Sequence, residues 1–133
     1  PVVNSVTEED GNIRLIYREF PILTPGSAFA ARAALASRSQ NLYEEYHNAL
    51  MSAEDEIDED LALEIAREVG LDIIKLTADM NDPKIVDHLR RSQDLAAAHE
   101  IEGTPSFWIN GEIAVGAPSE AALKRELEKA RAE

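Results

Sequence analysis

Apolar and polar residues alternate along the chain with two periods. Near the N-terminus, Val2, Val3 and Val6 share one side of a short helical piece, Pro1 to Glu9. Asp10-Gly11-Asn12 stops it with turn residues. The run Ile13 to Phe20 is β-branched and aromatic, with Ile13, Leu15 and Tyr17 alternating. It predicts a strand, and Ile16 suggests that the second face is partly buried as well. Pro21 ends it. Helical spacing then takes over. Thr24-Pro25 is a helix start, an N-cap hydroxyl followed by proline at the first helical position. The helix that follows is rich in alanine (Ala30, Ala31, Ala33, Ala34), which allows close approach to another element. Leu42, Tyr43, Tyr46, Leu50 and Met51 mark a second helix, and Ser52 to Glu59 an acidic connection.

Asp58 or Glu59 opens a third helix carrying Leu61, Ala62, Ile65, Ala66 and Val69, closed by Gly70. Asp72 to Met80 is a further short helix. Asp82-Pro83 starts a longer one that runs through Val86, Leu89 and Leu95 towards His99. A hairpin follows: Gly103-Thr104-Pro105 leads into Ser106–Ile109, and Asn110-Gly111 turns the chain back. Asn-Gly between apolar runs is the strongest short hairpin signal, because both turn positions need positive φ. Pro105 has no N–H and marks a strand entrance. Ser119 caps a final helix with Leu123 and Leu127. A strand, a long helical stretch, a hairpin and a helix make an α/β arrangement, with the helices placed over one sheet.

Composition narrows the function classes. The chain has 133 residues, enough for one domain with a sizeable core, and a formal net charge of −13. Such acidity repels phosphate backbones and anionic lipid, which argues against nucleic-acid binding and membrane-surface docking. No apolar run reaches the length of a membrane span, and no signal peptide is visible. Pro1 rather than Met leads the chain, so the expectation is a processed chain, an expressed segment or a fragment. There are no cysteines, which excludes a disulfide framework and thiolate metal sites. His47, His88 and His99 are too scattered for a metal site. The acidic run Glu54 to Asp60 lacks the glycine of a calcium loop. No cofactor is expected.

Several segments together carry a resemblance: IRLIYREFPIL, SAFAARAALAS, YEEYHNALM, IAREVGLD and EIEGTPSFWINGEIAVGAPS. They resemble, in order and over nearly the whole chain, bacterial thiol–disulfide oxidoreductases of the DsbA-like thioredoxin superfamily. GTPSFWING is the most specific element and looks like the family's cis-proline loop and last hairpin. The resemblance implies a thioredoxin fold with a helical insertion at about residues 25–100, within a single domain over 1–133. It also implies that the family's Cys-x-x-Cys and the strand leading to it are absent, so that the chain starts just after that motif. That strand would be central, between Ile13–Arg18 and Ser106–Ile109. Without it the remnant would need either a longer protein or strand pairing with a second copy, a homo-oligomer.

By position, the resemblance assigns Thr104 and Pro105 to substrate binding. The residue before the cis-proline faces the cysteine pair, and its backbone pairs with an extended or unfolded thiol-containing protein substrate. Read from the residues alone, Thr-Pro does no more than start a strand. The implied activity is mixed-disulfide exchange on exported proteins in the periplasm or cell envelope, with a separate redox partner protein. The chain itself cannot perform it, because the chemistry needs a thiolate. Two rivals stay open. One is a redox-inactive peptide-binding module. The other is a glutathione-dependent transferase or isomerase with serine at the first cysteine position.

Overall fold

In the computed structural model, which describes residues 1–22 and 24–133, the chain forms two compact units. One is Pro1–Arg18 with Ala96–Glu133, and the other is Glu19–Leu95. The helices are α1 (Val2–Asp10), α2 (Pro25–Ala36), α3 (Tyr43–Met51), α4 (Glu59–Val69), α5 (Ile73–Asp79), α6 (Pro83–Ala98) and α7 (Glu120–Ala132). A 3₁₀ turn spans Ser37–Gln40. Strands β1 (Ser106–Ile109) and β2 (Glu112–Val115) form an antiparallel pair.

The unit Glu19–Leu95 is built around α2. Thr24 caps this helix, its Oγ1 accepting from the Ser27 N–H at 3.1 Å, with Pro25 at the first position. Apolar residues on both faces of α2 are buried. Ala30, Ala33 and Ala34 join a cluster with Tyr46, Leu50, Ala62, Ile65, Ala66 and Leu76. Ala31 and Leu35 pack with Leu89 in a second cluster. A helix that is apolar all round is a buried helix, and alanines let α2 and α4 approach at Ala33, Ala34, Ala62 and Ala66. Tyr46 is fully enclosed, and its hydroxyl donates to the Ala62 carbonyl at 2.7 Å. Burial pushes the Tyr46 phenol up to about 12. Asp58 and Asp72 cap α4 and α5 through the N–H groups of Leu61 and Lys75. Gly70 ends α4 at φ 96°, a left-handed position that glycine takes without strain.

In the other unit, α1 packs on α7, with Val6 and Leu123 buried. Ion pairs bridge the two helices at their surface. Lys124 Nζ sits 2.7 Å from both Glu9 and Glu120. Arg131 forks onto Asp10, with Nη1 donating to Oδ2 at 2.8 Å, and also donates to the Asn12 carbonyl at 3.3 Å. Asp10 lies in the last turn of α1, where the helix dipole disfavours an anion, and the guanidinium offsets this. The Arg131 hydrogen bond holds the Asp10 carboxyl below its ordinary value of 3.8.

One predicted element differs. Residues 13–20 are not in a strand. The alternation is there, with Ile13, Leu15 and Tyr17 partly covered and Arg14, Ile16 and Arg18 exposed. Yet a strand requires a ladder partner, and the sheet found among the described residues is the β1–β2 pair alone. The expected second buried face at Ile16 is also absent: Ile16 is 64% exposed. The Tyr17 hydroxyl reaches back to Asn4 Oδ1 at 2.7 Å and ties the segment to α1.

Candidate functional site

The hairpin and the loop before it form the candidate site. Thr104 and Pro105 are both exposed, and the peptide bond between them is cis. The loop is held from both sides. Ser106 Oγ donates to the Gly103 carbonyl at 2.6 Å, and the Gly116 N–H donates to the Pro105 carbonyl at 2.8 Å. The latter bond continues the register Ser106↔Val115, Phe107↔Ala114, Trp108↔Ile113 and Ile109↔Glu112.

Antiparallel pairs alternate between hydrogen-bonded and non-hydrogen-bonded. With Pro105 and Gly116 bonded, the next bonded pairs along β1 are Phe107↔Ala114 and Ile109↔Glu112. The N–H and C=O groups of Ser106 and Trp108 therefore point away from β2, along an edge that no strand occupies among the described residues. Thr104 precedes the cis bond to Pro105, where the chain enters β1. The hairpin thus offers an exposed threonine followed by main-chain donors and acceptors in line, which is what an extended peptide or an added strand pairs with.

Side chains on β1 divide by face. Phe107 is partly buried, whereas Trp108 is 49% exposed and lies against His99, with ring centroids 4.4 Å apart. Trp108 is thus only half covered rather than enclosed in a core. Val115, on the same face as Trp108 through the register, is 68% exposed.

Sequence reasoning missed a polar cluster in the other unit. Glu19 Oε1 accepts from the Tyr43 hydroxyl at 2.6 Å and lies 2.9 Å from His47 Nδ1. The Tyr43 and His47 rings stack at 5.6 Å. Their i, i+4 spacing on α3 was readable in the sequence. The partner 28 residues before His47 was not. Among the described residues, no group of three or more His, Asp or Glu is placed to hold a metal ion. Among the described residues, no helix is long and apolar enough to cross a membrane.

The profile of the DSBA-like thioredoxin domain matches residues 1–128. A solved thioredoxin-like oxidoreductase from Silicibacter pomeroyi DSS-3 is 43% identical, with a TM-score of 0.95 over 98% of this chain and 76% of its own. The probable disulfide bond formation protein D of Bacillus anthracis is 27% identical over 130 residues, which is 91% of this chain and 59% of that protein. A segment of the Na(+)/H(+) antiporter NhaA 3 of Salinispora tropica is 26% identical over 113 residues, 84% of this chain but 17% of that protein. The chain thus spans less than two thirds of the length of either of these two curated relatives.

Proposed function

Since the chain belongs to the DSBA-like thioredoxin domain family, with its helix-rich fold and small antiparallel sheet, we propose that it is the peptide-facing part of a thiol–disulfide oxidoreductase. The chemistry is mixed-disulfide exchange on extended or unfolded protein substrates. Main-chain hydrogen bonds at Thr104, beside Pro105, hold the substrate. Such bonds make little demand on sequence, which suits an enzyme acting on many unfolded proteins. The open edge of β1 at Ser106 and Trp108 takes the strand that delivers the thiol pair. The whole of residues 1–133 acts as one thioredoxin-like domain, with the helices from about 25 to 100 as an insertion.

The observation that carries this reading is the exposed Thr104 leading into a strand edge that no strand occupies among the described residues. The thiols come from outside these 133 residues, because the chain contains no cysteine and no other side chain forms a reversible disulfide. Substrates of this kind are exported proteins, so the reading places the activity in the bacterial periplasm or envelope. A redox partner protein must then reset the thiol pair after each turnover.

Two measurements test it together. Titration of the isotope-labelled chain with an unfolded polypeptide should move the amide signals of Thr104 and Ser106. The cysteine-free chain should show no turnover in an insulin-reduction assay, while a polypeptide joining it to a Cys-x-x-Cys strand should. Binding that bypasses Thr104 would refute the site, and turnover by the cysteine-free chain would refute the chemistry. Binding without turnover in the joined polypeptide would favour the second reading, a redox-inactive peptide-binding module.

A further inference from the structure

We propose that Asn110-Gly111 is a site of spontaneous modification, where Asn110 loses its side-chain amide through a cyclic imide. The reaction requires the backbone nitrogen of the following residue to reach the asparagine Cγ. A Cβ on that residue crowds the approach, and glycine has none. Asn4, Asn12, Asn41, Asn48 and Asn81 precede Ser5, Ile13, Leu42, Ala49 and Asp82, so Asn110 alone precedes glycine.

The structure sharpens this ranking, because it shows which of those following nitrogens are engaged. The Ser5 N–H donates to the Pro1 carbonyl at 2.9 Å, Leu42 to Ser37 at 3.3 Å and Asp82 to Asp79 at 3.0 Å. Ala49 lies within α3. Ile13 is β-branched and crowds its own nitrogen. Gly111 differs from all of these. Asn110 and Gly111 form a two-residue turn at φ 48° and 89°, bracketed by the Ile109↔Glu112 pair. The ladder uses the groups of Ile109 and Glu112, and the Gly111 N–H donates to no backbone carbonyl among the described residues. Both turn residues are exposed to water. The Asn110 side chain donates to Glu133 Oε2 at 3.1 Å, a tether to an exposed terminal residue.

In the step itself, the Gly111 nitrogen attacks Asn110 Cγ. The N–Cγ bond forms and the Cγ–Nδ2 bond breaks. The Gly111 amide proton leaves with Nδ2 as ammonia. Water then opens the imide at one carbonyl to give aspartate, or at the other to give isoaspartate. No electrons are transferred, and water is the only co-reactant.

Either product disturbs the hairpin that carries Thr104 and Pro105. Isoaspartate routes the main chain through the side-chain carboxyl and adds a methylene to a turn that fits only two residues. Aspartate replaces a donor by a second carboxylate facing Glu133.

The test is to age the folded full chain at mildly alkaline pH. Intact mass and peptide mapping follow conversion of amide to acid and isoaspartate. Amide exchange at Phe107 and Ile109 is read on the same samples. Asn110 should convert ahead of the other five asparagines, with loss of protection at Phe107 and Ile109 in the converted fraction. Asn110→Gln should stay unconverted at this position. Asn110→Asp, made directly, should reproduce the part of the lost protection that is due to charge. Conversion first at Asn4 or Asn12 would overturn the proposal. So would an Asn110 that stays intact in the folded chain while the urea-unfolded chain converts.

Discussion

Replacing Gly26 by alanine should destabilise the fold, although the helix position by itself predicts the opposite. Gly26 is the second residue of α2, and its φ does not fall in the left-handed region. In isolation, Gly→Ala there would stabilise by about 0.4–1 kcal/mol through the unfolded chain. The tertiary structure reverses the sign. A Cβ built on Gly26 falls 1.9 Å from the Ile57 carbonyl oxygen, 2.9 Å from its carbon and 3.2 Å from Asp58 Cα. All three are backbone atoms, so no side chain can swing away. The loop must retreat by about an ångström, and overpacking of this kind costs about 1–3 kcal/mol. The same loop holds Asp58, whose Oδ1 caps α4 at 2.8 Å from the Leu61 N–H. Weakening that cap adds a part of the usual value of about 1 kcal/mol. The net expectation is a loss of about 2 kcal/mol, or a fall in Tm of about 6–10 °C for a chain of this size. Urea and thermal unfolding followed by far-UV circular dichroism measure it. Gly70→Ala is the reference, because nothing lies within 4 Å of its Cβ and its penalty comes from a φ of 96° alone. A Gly26→Ala chain as stable as the parent, or more so, would refute the contact and the loop placement behind it.

Two further outcomes follow from ionisable groups. Tyr46 titrates near 12 when folded against 10 when unfolded, so its phenol favours the native state below pH 10 and loses that contribution as pH rises from 10 to 12. Tyr46→Phe should lower stability at neutral pH by about 0.5–1.5 kcal/mol, through the lost bond to Ala62, and should flatten the alkaline limb of a urea-midpoint profile between those values. A variant with an unchanged alkaline limb would show that another group unfolds the protein there. For the α1–α7 clamp the sign is opposite. Asp10 is held below 3.8 by Arg131, so the pair contributes above 3.8 and the contribution is lost as pH falls through the lowered folded value. Arg131→Ala should therefore be less stable than the parent at neutral pH, with the two urea midpoints converging below 3.8. Parallel acid limbs would contradict it.

Much of the fold was legible because helix ends and tight turns are local. Thr24-Pro25, Asp58 with Gly70, Asp72 and Ser119 each act within a few residues of the helix end they mark. Asn110-Gly111 fixes its hairpin through two dihedral angles. The candidate site was visible in the sequence as a motif. Thr104 and Pro105 stood out by sequence and lie exposed at the mouth of β1. The open edge of that strand depends on what else pairs with it, which no local pattern states.

The remaining features are decided at long range. Residues 13–20 alternate as a strand does, yet the alternation describes which side chains are covered and not whether a ladder exists. Glu19 meets Tyr43 and His47 across 24 and 28 residues, and Arg131 meets Asp10 across 121. Alanine at position 26 is costly only because the Ile57 carbonyl comes to rest against it. The sequence by itself determined the helices, their caps and the turn, since backbone dihedrals and hydrogen bonds within four residues suffice for those. Only the tertiary structure decided which polar groups meet, which edge stays open and which glycine admits no side chain, because each depends on chain segments that loop closure must first bring together.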